Sequence, residues 1–294
     1  VLENRRIAKL IKSQPTLEGA GVHLKRVFGF GNTDLFDPFL LLDDFRSDNP
    51  AHYLKGFPWH PHRGIETITY MIDGQVEHGD SLGNSGVIFS GDVQWMTAGS
   101  GIIHQEMPKG DETGRMGGFQ LWANLPASEK MTQPRYRDVT HDQIPKVVLD
   151  NGTTIRIICG KAYGKQGPVQ DIFIDPSYLD IRIPPGQVFI HPTQQGHTVF
   201  AYIIDGQGVF DPEAIVSSAQ DDADTLNMIS NETLVLFRDG DQVTVSSSND
   251  AVRFLLISGK PIREPVAWQG PIVMNTQEEL RIAFEEYQAG TFIK

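Results

Sequence analysis

Residues Ile68-Thr69-Tyr70-Met71-Ile72-Asp73-Gly74-Gln75 are echoed, 132 positions later, by Phe200-Ala201-Tyr202-Ile203-Ile204-Asp205-Gly206-Gln207. Each copy is a run of β-branched and aromatic residues entering an Asp-Gly turn, the pattern of a strand that reverses direction. Farther along, Gly91-Asp92 is matched by Gly240-Asp241 at an offset of 149, and the extra 17 residues fit an insertion in the loop holding Asp221, Asp222 and Asp224. A repeat on this scale predicts two β-barrel domains built on one plan, with a boundary in the irregular stretch around residues 135 to 150. Placed after residue 140, it gives an N-terminal domain of 1–140 and a C-terminal domain of 141–294.

The rest of the chain has the same texture. Short alternating runs rich in Val, Ile, Phe, Tyr and Thr recur at 66–72, 154–158, 178–183, 199–204, 233–237 and 252–257, punctuated by Gly and Pro. That spacing predicts an all-β sandwich or barrel rather than βαβ units. The clearest helix is C-terminal: Thr276 and Glu279 make a capping box, Leu280, Ala283, Phe284 and Tyr287 share one face, and Gly290 stops it.

Composition narrows the function classes. The formal charge of −12 repels phosphate backbones, so direct nucleic-acid binding is not expected. Apolar runs such as 39–42 and 254–257 are far too short to span a bilayer, which needs about 20 residues. Arg5, Arg6, Lys9 and Lys12 make the N-terminus basic without an apolar core behind them. The single cysteine, Cys159, forms neither an intramolecular disulfide nor a thiolate cluster, so a reducing cytoplasm is the expected location, or the nucleus in a eukaryote. Asp221, Asp222 and Asp224 read as a solvated loop, not a metal site.

Metal chemistry is concentrated in the first half. In an extended strand the imidazoles of His60 and His62 leave one face about 6.5 to 7 Å apart, close enough to converge on one ion. His104 and Glu106 repeat the spacing with an imidazole and a carboxylate. An isolated His-x-His in an acidic protein is often incidental, and histidines 23, 52, 78, 141, 191 and 197 show that the residue is not scarce here. Two such pairs, each beside a glycine-rich turn, point to a joint site of three nitrogens and one oxygen. That donor set suits non-haem Fe(II), while Mn, Co, Ni, Cu and Zn remain open to it. Glu66 is the rival carboxylate; strict alternation keeps it on the His62 face but about 13 Å along the strand, so a supporting place in the barrel interior is expected. Phe57 and Trp59 flank the ligands as candidates for the pocket entrance.

At these residues the sequence resembles the cupin superfamily, whose first motif is met by Gly56, His60, His62, Glu66 and Gly74 and whose second is met by Gly91, Gly101 and His104. Gly99 stands where the second motif usually has proline. With the stretches 37–45, 60–70, 94–104, 120–125, 263–266 and 270–276, the chain looks like the pirin family in particular. The resemblance implies a bicupin, two stacked antiparallel barrels, with iron held in the N-terminal one by His60, His62, His104 and Glu106. It implies a non-haem iron dioxygenase that cleaves flavonols such as quercetin with O2, Glu106 accepting the substrate proton. The eukaryotic members imply an alternative, a redox-sensing interaction protein of the transcriptional co-regulator kind that docks on a protein partner without turnover. In the second half, the repeat places Pro192, Gln194, Arg253 and Leu255 opposite the four ligands, so the C-terminal barrel is expected to hold no metal.

Overall fold

A computed structural model describes residues 2–211 and 228–294. Asp221, Asp222 and Asp224 lie outside the described residues. Each of the six strands expected from alternation is present, within Ile65–Asp73, Thr154–Cys159, Ser177–Ile183, Thr198–Val209, Thr233–Phe237 and Gln242–Gly259. The two Asp-Gly turns differ. The strand Ile65–Asp73 ends before Gly74 and a new one, Gln75–Asp80, begins, whereas Thr198–Val209 continues through Asp205-Gly206 by way of bulges in its pairing.

The chain forms two compact units, and each takes in a terminal segment. One comprises Gln14–Gln143 with Ile262–Lys294, the other Val1–Ser13 with Ile144–Pro261. A single cut after residue 140 therefore falls close to the middle junction and misplaces both ends. The physical cause is at the sheet edge and in the tail. The basic N-terminal segment becomes the strand Ile7–Lys12, which covers the edge of Thr233–Phe237 and removes an open row of backbone donors and acceptors. Arg5 is buried in the same unit and donates to Thr193 Oγ1 and to the carbonyls of Arg238 and Gln194. In the other unit, the backbone amides of Ile262 and Arg263 donate to the Asp37 carboxylate at 3.0 and 2.7 Å, tying the tail to its first strands.

The Ile144–Pro261 unit is filled by its own side chains. Ile155 and Ile157, Leu179, Ile181 and Ile183, Val199, Ala201 and Ile203, and Phe254 and Leu256 alternate inward and join one apolar cluster. A register slip of one residue would turn each of these sets to the other face, so the cluster also fixes the pairing.

In the other unit, a seven-stranded sheet runs in the order Arg135–Val139, Val93–Thr97, Ile65–Asp73, Gly117–Asn124, Phe39–Asp44, Val22–Phe28, Gln14–Glu18. A four-stranded sheet, Phe57–His62, Ile102–Lys109, Gln75–Asp80, Ser85–Phe89, faces it. Between them lies a cavity of about 750 Å³. The C-terminal helix Gln277–Gln288 has the expected capping box at Thr276 and Glu279. It buries Leu280 and Ala283 against Ala267, Ile272, Met274 and Phe292.

Candidate metal centre

The strands Phe57–His62 and Ile102–Lys109 pair antiparallel, which sets His104 directly opposite His60. Because His62 lies two residues from His60, all three rings share one face. Their donor nitrogens lie within 4.8 Å of one another, the only such group of three or more ligand-type side chains among the described residues. His60 Nε2 stands 3.1 Å from His62 Nε2 and 2.9 Å from His104 Nε2.

The other ring nitrogens decide what those contacts mean. His60 Nδ1 lies 2.8 Å from the Pro58 carbonyl and His62 Nδ1 lies 3.1 Å from the Pro271 carbonyl. A carbonyl only accepts, so each Nδ1 carries the proton and each Nε2 presents a lone pair. Burial, and for His62 and His104 the neighbouring imidazoles as well, hold all three pKa values below the ordinary histidine range, the last two well below it. The Nε2 lone pairs of His60 and His62, 3.1 Å apart, repel unless a cation lies between them. Nitrogens bound at about 2.1 Å to one ion, at right angles, stand about 3.0 Å apart, so the arrangement fits a metal.

Glu106 lines the same cavity as His60 and His62 but stands outside the group of three. A register irregularity between His104 and Glu106 sets Glu106 opposite Phe57. Its carboxylate is 3.5 Å from Thr69 Oγ1, and burial pushes it up to about 7, partly offset by His78 and by Thr69.

Glu66 is not in the barrel interior beside the ligands. The strand of the histidines ends at His62, and Gly64, at φ +79°, turns the chain before the next one begins. A Cβ at Gly64 would overlap the Val273 carbonyl, so only glycine lets the tail strand Ile272–Met274 pass this closely. After the turn Thr69 faces the cavity, and Glu66, three residues earlier, faces away. Its carboxylate accepts from Trp95 Nε1 at 3.1 Å and from Thr97 Oγ1 at 2.6 Å.

Phe57 and Trp59 line the cavity, together with several residues not foreseen. Trp122 packs edge-on against His62 with ring centres 5.1 Å apart, and Trp268 continues that wall at 6.1 Å from Trp122. Arg26, Asp43 and Gln120 add polar groups to it. One signal for Asp43 was present: it follows four apolar residues in Phe39–Asp44, a strand buried throughout.

Comparison with known proteins places the chain among relatives of known family. The pirin family model matches residues 21–123, and the model of the pirin C-terminal cupin domain matches residues 178–293. A pirin-like protein of Caulobacter vibrioides is 44% identical over 289 residues, spanning 98% of this chain and 99% of the relative. Pirin of Homo sapiens is 37% identical, spanning 97% and 93%. The crystal structure of a quercetin 2,3-dioxygenase from Acinetobacter baumannii matches with a TM-score of 0.86 at 28% identity, over 99% of both chains.

Proposed function

The chain belongs to the pirin family, and from that premise we propose that its metal centre is that of a non-haem iron dioxygenase acting on flavonols such as quercetin with O2. The observation that carries this reading is the trio of neutral imidazoles, His62 and His104 buried and His60 half-buried, beside a cavity that His60 and His62 line and that is large enough for a multi-ring aromatic molecule. His60, His62 and His104 would hold the ion, with Glu106 as the fourth ligand. Bound Fe(II) supplies open coordination positions and redox chemistry that protein side chains lack.

The chain's own groups do the rest. Phe57, Trp122 and Trp268 offer ring faces and edges to a flat substrate and keep water from it. Glu106, as a ligand with one carboxylate oxygen left free, would take the proton of the flavonol 3-hydroxyl and return it to the product. Both atoms of O2 enter the ring-cleaved ester, and the carbon bearing the 3-hydroxyl leaves with its own oxygen as carbon monoxide. The test is oxygen uptake by the Fe(II)-loaded protein with quercetin. Many turnovers with carbon monoxide release are expected. At most one oxygen consumed per iron, across a flavonol panel, would overturn the enzyme reading in favour of a redox-sensing protein that acts through a protein partner.

A further inference from the structure

Four residues on four neighbouring strands stand directly opposite one another: Arg26 faces Asp43, Asp43 faces Gln120, and Gln120 faces Thr69. All four line the cavity. Opposed residues of antiparallel strands share a face, so they form a single row across the wall. Its flanks are apolar, with Leu24 and Phe45 to one side and Leu41 and Trp122 to the other. At the Thr69 end the row reaches Glu106. With strands about 4.8 Å apart, Gln120 stands about 5 Å and Asp43 about 10 Å from Thr69.

The row has hydrogen-bonding capacity to spare. The Gln120 side-chain amide has no hydrogen-bond partner among the described residues. Arg26 holds Asp43 through Nε at 2.9 Å and Nη2 at 2.8 Å, and its Nη1 pairs with Glu18 at 2.8 Å. The guanidinium is thus taken up by two carboxylates, while Asp43, fixed in place, keeps lone pairs to accept further donors. An anionic group would meet the net negative charge of Glu18, Asp43 and Arg26. A wholly apolar ligand would cover Gln120 and leave its amide unpaired, which costs free energy. A hydroxyl group meets neither difficulty.

We propose that this row recognises ring hydroxyl groups of a polyhydroxylated aromatic substrate, Gln120 donating and accepting and Asp43 accepting. The inference rests on the reading of the cavity as a flavonol site. Its test compares two flavonols that share the 3-hydroxy-4-keto unit, one with further hydroxyls on both outer rings and one with none. Each is titrated anaerobically into the Fe(II)-loaded protein. The wild type should prefer the hydroxylated flavonol, and Gln120→Leu should cut that preference about tenfold, the scale of one hydrogen bond lost with its partner covered. Gln120→Met, unbranched and closer to the native length, carries the same expectation should the leucine variant fold poorly. A preference unchanged within twofold in the folded variants, or no preference in the wild type, overturns the role of the row and leaves the flavonol reading standing. Failure of the wild type to bind either flavonol overturns both.

Discussion

Two buried carboxylates, Glu66 and Glu106, have different partners, and substitution separates them. Glu106→Gln keeps the shape but removes the charge and the proton acceptor. Metal content, read by elemental analysis, should fall, and turnover, read by oxygen uptake, should drop by about 10²- to 10⁴-fold. Glu66→Gln should keep the metal, because that carboxylate serves Trp95 and Thr97. It should cost about 1 to 3 kcal/mol in denaturant unfolding, since an amide N–H would then face a donor. The reverse outcome, metal lost with Glu66→Gln and kept with Glu106→Gln, would exchange the roles. Lys130 offers a test through pH. It is buried, donates to the Gly64 carbonyl at 2.9 Å and Asn124 Oδ1 at 2.7 Å, and burial lowers its pKa to about 7 against the pull of Glu264 and Glu279. In the unfolded chain a lysine titrates near 10.4. Between about pH 7 and 10 the unfolded state therefore holds a proton that the folded state has released, so this residue adds stability as pH rises and loses it as pH falls toward 7. The unfolding free energy of wild type relative to Lys130→Met should grow between pH 7 and 9.5; a constant difference would refute the buried, neutral lysine. At this scale the histidines were legible because alternation along one strand puts i and i+2 on one face. Asp43 and Gln120 were not, because alternation cannot say which face lines a cavity when a strand such as Phe39–Asp44 is buried on both.

Among the elements, the tail after residue 262 bears most directly on the centre. Pro271, just before the strand Ile272–Met274, supplies the carbonyl that orients His62. That strand is held by Val273 N donating to the Arg63 carbonyl at 3.1 Å. The buried Arg63 side chain donates to the Ser100 and Phe292 carbonyls and to Glu286 on the C-terminal helix. One side chain thus fastens the turn before His104, the helix and the chain end, while its backbone carries the strand. Arg63→Met should destabilise the protein by about 1 to 3 kcal/mol for each of the buried Ser100 and Phe292 carbonyls that loses its donor. It should also weaken metal binding by about tenfold or more, because the hydrogen bond that orients a ligand is then held less firmly. Unfolding curves and competitive chelation check the two effects. Unchanged metal affinity in a destabilised variant would uncouple the tail from the site. The helix itself was plain in the sequence, since Thr276 and Glu279 cap it locally. Where it docks was not, because its partners, Ala267, Ile272 and Met274 among them, are chosen by packing and carry no local signal.

At the scale of the whole molecule, the repeat made a two-unit plan legible, and it went wrong where long-range pairing outweighs sequence order. No local pattern says that Ile7–Lys12 will seek the edge of Thr233–Phe237 rather than the strand that follows it. The same comparison of halves bears on metal stoichiometry. Opposite His60 on its partner strand stands His104, and opposite the inward His191 of the other unit stands Val243. Arg253, which the repeat sets against His104, is committed to a bidentate pair with Asp180 at 2.9 and 2.6 Å. His191 is buried with Nδ1 unpartnered, and burial lowers its pKa to about 4, but it belongs to no group of three or more ligand-type side chains among the described residues. Affinity for a divalent ion falls steeply as donors are removed, and a site with fewer than three protein donors competes poorly with water. The protein should therefore bind one equivalent of metal per chain with high affinity, and His62→Ala should abolish that equivalent without exposing another. Equilibrium dialysis against Fe(II) under anaerobic conditions, or against Ni(II) or Zn(II) in air, measures it. Two equivalents of similar affinity, or a tight equivalent that survives His62→Ala, would mean that the second unit gathers ligands the comparison of halves does not reveal.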